Sequence, residues 1–198
     1  MGLGPIDDLT IYEYLEKLAA PDFPGPASGS AAATVAAMAA ALLEMSCKVT
    51  IRKGVENIPL SLKNIADVRN QCLTLATVDM KTLAEVVKTA KCKTDFPDEY
   101  EEAMKNATDT LVAVVKNCEI ILTGVEQFLP LANKRVFGEL AGSANMAETA
   151  AASAKFGVKV NLSLIHDEFY KENVWAVVRE SFQNSTELKQ RIEKIINR

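Results

Sequence analysis

The 198-residue chain is poorest in the residues on which most site chemistry is built. It has one histidine, His166, and one tryptophan, Trp175, and aromatic residues make up 6% of the whole. A single histidine excludes a His-rich metal centre and the Glu-x-x-His pairs of a di-iron bundle, so no metal site is expected. The four cysteines, Cys47, Cys72, Cys92 and Cys118, are scattered and form no C-x-x-C, which excludes a zinc ribbon or a paired redox motif. They are expected to be reduced and mostly packed as small core residues, as in a cytoplasmic protein. No cluster of Lys and Arg stands out, and the net charge is −4, so a nucleic-acid groove is not expected. The first ten residues lack a basic start and an apolar run, so they do not read as a signal peptide. Ile6 stands where a myristoylation motif needs Ser or Thr. The apolar run from Ala31 to Leu43 is too short for a bilayer span, so no membrane partner is expected. The triplets at Asn106, Asn161 and Asn184 that match glycosylation sequons are read as chance.

Hydrophobic residues are 48% of the chain, enough for one domain with a substantial core over residues 1–198. Their spacing is helical almost throughout. Thr10 followed by Glu13 is a capping-box pattern, and the helix it opens carries Ile11, Leu15 and Leu18 on one face until Pro21 stops it. A loop of Pro, Gly and Ser leads to a second helix, expected from Ala31 to Arg52. Ser61 is expected to cap a third, running to Lys91. "TDFPDEY" places a proline and acids at the start of a fourth, which continues towards Pro130. A fifth is expected to begin near Ser143, and a sixth to run from Glu168 to the end, with Phe169, Val177, Phe182, Leu188, Ile192 and Ile195 as its periodic set. Only "VKVNLSLI" alternates like a strand, and the helical surroundings favour helix there. The fold expected is therefore all-α: an antiparallel bundle of about six helices with short connections.

The second helix is unusual because most of it is alanine. Val35, Met38, Leu42, Met45 and Val49 repeat at steps of three and four, which reads as one buried seam. The other faces carry Ala32, Ala33, Ala36, Ala37, Ala39, Ala40 and Ala41, so neighbouring backbones can approach closely and the helix is expected to be surrounded on several sides. Its start is also deliberate. Ser30 can cap the first turn, while Ser28 and Gly29 leave amides free to meet carboxylate or carbonyl oxygens. The tripeptide Gly29-Ser30-Ala31 recurs as Gly142-Ser143-Ala144, ahead of the small residues Ala147, Ala151 and Ala154. Two such helix starts are expected to line one cavity, although two plain Ser-capped helices would share this pattern.

The stretch Pro26-Ala27-Ser28-Gly29-Ser30-Ala31-Ala32-Ala33 resembles the Pro-Gly-Gly-Gly-Ser-x-Ala-Ala loop of the cyclodeaminase domain of formiminotransferase-cyclodeaminase and of the related methenyltetrahydrofolate cyclohydrolases. Met45 through Thr50, Arg52 and Lys53 resemble the Met-x-x-x-Thr-x-basic region that follows it in that family. Gly142-Ser143-Ala144-Asn145-Met146-Ala147, ending at Asn161, is similar to a later family segment. The opening helix also fits, so the resemblance covers nearly the whole chain in order. The chain departs from the pattern at the glycine triplet, at Ser143 where the family has Asp, at Thr77 where an acidic partner of Asp79 is expected, and at Ile165 in place of a second Asn.

The resemblance implies a cyclodeaminase-like helical homodimer that binds a reduced folate and uses no metal or redox cofactor. Its reaction would be closure of 5-formiminotetrahydrofolate to 5,10-methenyltetrahydrofolate with release of ammonia, or hydrolysis of the methenyl bridge. A folate-binding or interaction protein that has lost the family's acids is the alternative. Asp79 is the candidate proton donor or acceptor if burial raises its pKa, otherwise a solvated helix charge. Ser143, at the position of a family acid, is the second catalytic candidate, or simply a cap. Ser28, Gly29 and Ser30 are candidates for binding the ligand, and Arg52 and Lys53 for holding its glutamate tail by charge-assisted bonds, unless they only serve the helix C-terminus. Asn161 would read a ligand edge or bridge two helices. His166 is expected near a helix end, with a lesser claim as a base. Trp175, Phe169 and Phe182 are expected as core or dimer contacts.

Overall fold

A computed structural model describes residues 6–22, 24–54, 62 and 64–197. Every regular element among them is helical. Six α-helices follow in order: α1 (Ile11–Ala19), α2 (Ser28–Ile51), α3 (Ile65–Thr89), α4 (Pro97–Phe128), α5 (Phe137–Leu162) and α6 (Glu168–Ile196). Short 3₁₀ turns at Ile6–Asp8, Ala90–Cys92, Leu129–Leu131 and Lys134–Val136 join or flank them.

Several starts follow local chemistry. At α1 the Thr10 hydroxyl accepts from the Glu13 amide at 3.2 Å, and the Glu13 carboxylate accepts from the Thr10 amide at 2.8 Å. These reciprocal bonds satisfy two amides that the first turn leaves free. Pro97 occupies the first turn of α4, beside Asp98 and Glu99. Asp167 caps α6 by accepting from the Tyr170 amide at 3.0 Å. Asp167 also accepts from Lys105 Nζ at 2.8 Å, which ties α6 to α4. Gly54 ends α2 with φ of +90°, a backbone that residues with a β-carbon rarely adopt.

Other boundaries differ from expectation. The expected cap of the third helix, Ser61, lies outside the described residues, and α3 ends at Thr89 before a 3₁₀ turn. α2 begins three residues earlier than the serine signal suggests. α5 begins at Phe137, so Ser143 lies in its second turn and caps nothing. The alternating stretch is the end of α5 and the turn after it, without a strand.

α2 is the central helix. It packs most heavily on α5 and α3 and also touches α4. Its alanines explain this: Ala33, Ala36, Ala39 and Ala40 are fully enclosed, and methyl-sized side chains let three neighbours come close. Phe128, Ile121 and Leu122 of α4, Leu140 and Val158 of α5, and Met80 of α3 fill the space around them. The large residues expected as the buried seam lie on the opposite side. Val35, Leu42 and Val49 are half-buried, and Met38 is 42% exposed. The periodicity located a stripe correctly, but the core lies on the alanine side. By length and composition α2 could cross a membrane; burial among three helices requires the same composition.

α1 makes a similar exchange. Tyr14 is its one buried residue, while Ile11 is 69% exposed and Leu15 is also exposed. Phe169, expected in the core or at a contact, is exposed at the start of α6. Cys47, Cys72 and Cys118 are buried free thiols. Burial pushes the first two up to about 11, which makes them unreactive packing residues.

Candidate functional site

A cavity of about 410 Å³ opens where four helices come together. The start of α2 supplies Ala27, Ser28 and Gly29. Asp79, Leu83 and Val86 of α3 and Met104, Ala107 and Leu111 of α4 form other walls. α5 contributes Ser153, Phe156, Gly157, Val160 and Asn161. The lining is mostly aliphatic, with an exposed aromatic ring, Phe156, at the edge, and Asp79 is its one ionisable group.

The local fold places Asp79 against the start of α2. Pro26 and an extended Ala27 precede the first helical residue, Ser28, leaving first-turn amides without intrahelical partners. The Ser30 amide donates to the Asp79 carboxylate. Gly29 makes room for it: a β-carbon there would stand 2.1 Å from Asp79 Oδ1 and 2.6 Å from Cγ. No ordinary side chain fits in that gap.

Ser30 holds this geometry from behind. It is the third helical residue of α2 and not the cap, which corrects the expectation from sequence. Its hydroxyl accepts from the Ala27 amide at 3.0 Å and lies 2.9 Å from the Ala27 carbonyl, to which it can donate. The Tyr14 hydroxyl sits 3.4 Å from the same oxygen. Ser30 is fully buried, so its side chain braces the turn and does not face the cavity.

Asp79 is 7% exposed. Burial pushes its carboxyl up from the usual range to about 6, against the lowering effect of the Ser30 amide. Desolvation disfavours the charged form, while the helix-start amide favours it. The outcome is a carboxyl poised to take and give a proton near neutral pH.

Asp79, Ser28, Gly29 and Asn161, four of the residues singled out in the sequence, thus share one cavity. The Asn161 side-chain amide makes no hydrogen bond among the described residues and is available to a ligand. Ser143 is elsewhere: it is fully buried, and its hydroxyl donates to the Ala39 carbonyl at 2.7 Å. Ala39 lies about 16 Å along α2 from Ser28 at the helical rise. Within one protomer the two Gly-Ser-Ala stretches therefore do not line one cleft. The cleft is made by the start of α2 and the last turns of α5. Arg52 and Lys53 are exposed at the far end of α2, roughly 36 Å from Ser28, and do not reach this cavity within one protomer. His166 is exposed in the turn before α6 and is not part of the lining.

Thr77, at the place of the expected second acid, accepts from the Ile6 amide at 3.1 Å and so anchors the N-terminal turn on α3. Tyr14, Met104, Leu111 and Phe156 were not singled out as site residues. For Phe156 the sequence held a usable signal, a large aromatic in the middle of an alanine-rich stretch. The other three are indistinguishable from ordinary core positions until the helices are assembled.

The family model described as formiminotransferase-cyclodeaminase matches residues 10–180. A methenyltetrahydrofolate cyclohydrolase from Methylorubrum extorquens is 27% identical over 175 residues, covering 82% of this chain and 84% of the relative. The crystal structure of formiminotetrahydrofolate cyclodeaminase from Thermotoga maritima superposes with a TM-score of 0.90 at 24% identity, over 97% of this chain and 98% of that one.

Proposed function

Because the chain belongs to the formiminotransferase-cyclodeaminase family, we propose that its Asp79 cavity binds a reduced folate and converts the one-carbon unit held between N5 and N10, in a cytoplasmic homodimer without metal or redox cofactor. The observation that carries this reading is a single buried carboxyl, raised to about 6, on the wall of an otherwise aliphatic cavity. A pterin is flat and polar at its edge. The aliphatic walls and Phe156 accept its faces, while Asn161, Ser28 and the Gly29 region present polar groups to its edge.

Both reactions of the family's named members pass through a tetrahedral carbon. In the cyclodeaminase direction the formimino group enters protonated as its amidinium; N10 attacks its carbon, Asp79 takes the N10 proton, and that proton goes to the NH2 group, which leaves as ammonia as the methenyl cation forms. In the cyclohydrolase direction water adds to the methenyl carbon and Asp79 takes its proton. That proton passes to N5 as the carbon–N5 bond breaks, giving 10-formyltetrahydrofolate, and a second proton leaves to solvent. One carboxyl serves each sequence because the proton taken in the first step is returned in the second. Such proton transfer contributes roughly 10²–10⁴ in rate, and positioning in a tight cavity adds to it.

A second reading, folate binding without turnover, is favoured by two observations. Thr77 and Ser143 stand where acids are expected, and both hydroxyls are engaged in packing. One assay separates the readings. The loss of near-ultraviolet absorbance of 5,10-methenyltetrahydrofolate is followed with purified protein, and its appearance from the 5-formimino compound is followed in parallel. Turnover in either supports the enzyme reading. A folate-dependent rise in Tm with no turnover supports the binding reading, and neither effect removes folate from the account.

A further inference from the structure

The Asp79 cavity carries one charge and offers nothing to balance it. Among the described residues its lining holds no lysine, arginine or histidine. The start of α2 brings no charged side chain, because none occurs between Asp22 and Glu44. α4 and α5 turn only uncharged side chains to the cavity. Lys155 of α5 lies instead over the Phe182 ring of α6, 3.9 Å from its centre, and Lys105 of α4 is held by Asp167 at 2.8 Å. From α1 the nearest titratable group is Tyr14, behind Ser30. Burial and the Ser30 amide act on the Asp79 carboxyl, and no neighbouring charge does.

The start of α2 supplies an opposing field, but a smaller one. A helix N-terminus is equivalent to roughly half a positive charge, whereas an ionised carboxylate carries a full negative one. The ionised cavity is therefore net negative. Its aliphatic walls, and a carboxyl only 7% exposed, leave that field little screened by water. Reduced folates differ in how they meet it. The methenyl bridge and the protonated formimino group are amidinium cations, whereas tetrahydrofolate and its formyl derivatives have neutral ring systems. Resting on the folate reading above, we infer that the cavity is a charge filter: it binds amidinium-type one-carbon units by pairing them with the Asp79 carboxylate, and discriminates against folates whose ring system is neutral. A neutral guest would leave the carboxylate desolvated and unpaired, or force it to take up a proton.

The same pairing times the proton transfer. While the cation is bound, the carboxylate stays ionised. Once water adds to the methenyl carbon, the positive charge passes to the attacking oxygen, and Asp79 takes the proton released there. Hydrolysis then ends on a neutral formyl compound that the site no longer holds by charge. Closure of the formimino compound ends on a cation, which stays paired.

Two ligand pairs, each differing in charge, test this. 5,10-Methenyltetrahydrofolate is compared with tetrahydrofolate, which has the same tail and a neutral ring system. Benzamidinium, a small flat amidinium, is compared with benzamide. Binding of the methenyl compound is read by rapid-mixing absorbance before hydrolysis sets in, and binding of the others by calorimetry. In the native protein the cations are expected to bind about tenfold more tightly at pH 7.5 than at pH 5, because the carboxyl they pair with titrates at about 6. Neither neutral ligand should tighten over that range. In Asp79→Asn the cations are expected to lose this pH dependence and to bind about tenfold more weakly at pH 7.5, with the neutral ligands bound as well as before. The native comparison needs no variant, so it decides even where the Asn protein fails to fold. Equal pH dependence within the folate pair would overturn the charge filter and leave folate binding standing, and a native protein that binds neither cation would overturn it outright. Asp79-dependent binding of benzamidinium without binding of any folate would remove the folate reading and leave the preference for amidinium cations.

Discussion

The tripeptide Gly-Ser-Ala occurs twice in this protein and does opposite things. At Gly29-Ser30-Ala31 it lies in the first turn of α2. There the glycine makes room for a carboxyl, the serine braces the turn, and an amide holds Asp79 at the wall of a cavity. At Gly142-Ser143-Ala144 it lies within α5. There a β-carbon on the glycine would meet nothing closer than 3.5 Å, and the serine fastens α5 to the Ala39 carbonyl of α2. What differs is the chain upstream. Pro26 and extended Ala27 keep helix from propagating back from Ser28, whereas Phe137 to Ala141 are already helical. A small tripeptide becomes a site only where the chain enters a helix and a charge waits opposite.

That contrast is sharpest at the two glycines. Gly29→Ala is expected to have the largest effect. The new methyl cannot share space with Asp79, so the carboxyl must leave the α2 amides or the helix start must shift, at about 1–3 kcal/mol in stability and on the order of 100-fold in folate turnover. Melting curves and the methenyl absorbance assay measure both. Native turnover in this variant would show that the close contact is not needed.

Asp79→Asn should separate function from stability. Turnover is expected to fall roughly 10²–10⁴-fold. Stability should move the other way. The native carboxyl titrates near 6, above the ordinary 3.8 of the unfolded chain, so the folded state binds the proton more tightly. The associated stability is full below about pH 4 and is lost as pH rises through about 6. Asn carries no such penalty. The variant should be more stable than the native protein at pH 8, by about 3 kcal/mol, with little change in that difference above pH 7. Urea unfolding at pH 4, 6 and 8 checks the slope.

The paired serines come next. Ser143→Ala removes a buried hydrogen bond between α5 and α2 and should cost about 1 kcal/mol, with folate affinity unchanged. Ser30→Ala should cost a similar amount and also weaken folate binding, because the turn that presents Gly29 and the Ser30 amide to Asp79 loosens. Equal effects of the two on affinity would erase the distinction between the tripeptides. The smallest effect is expected for Gly142→Ala, which replaces a helix-interior glycine where there is room and should raise stability by up to about 1 kcal/mol.

The parts of the fold that were legible in the sequence are those set by neighbours in the chain. Thr10 and Glu13 make a capping box whatever else the protein does, and Pro97 marks a helix start. The starts of α2 and α5 were misread for a local reason. A serine near a helix start serves equally as cap or as third residue reaching back, and the pattern at Ser30 does not distinguish them. The seam of α2 was misassigned because periodicity locates a stripe without saying whether the core lies beneath it or beneath the alanines behind it. At the site, Asp79, Ser28, Gly29 and Asn161 could be singled out as separate residues. Their union in one cavity depends on how α2, α3, α4 and α5 cross, as does the separation of Ser143, Arg52 and Lys53 from it.

The central claim is that Asp79, held against the start of α2, carries the proton for a folate reaction. It is tested most directly by the pH dependence of kcat/KM for 5,10-methenyltetrahydrofolate, in the native protein and in Asp79→Asn. The account predicts that native turnover rises as the carboxyl ionises near pH 6, and that the variant is slow and shows no such inflection. An Asp79→Asn protein that keeps native turnover, or that inflects at the same pH, would contradict it.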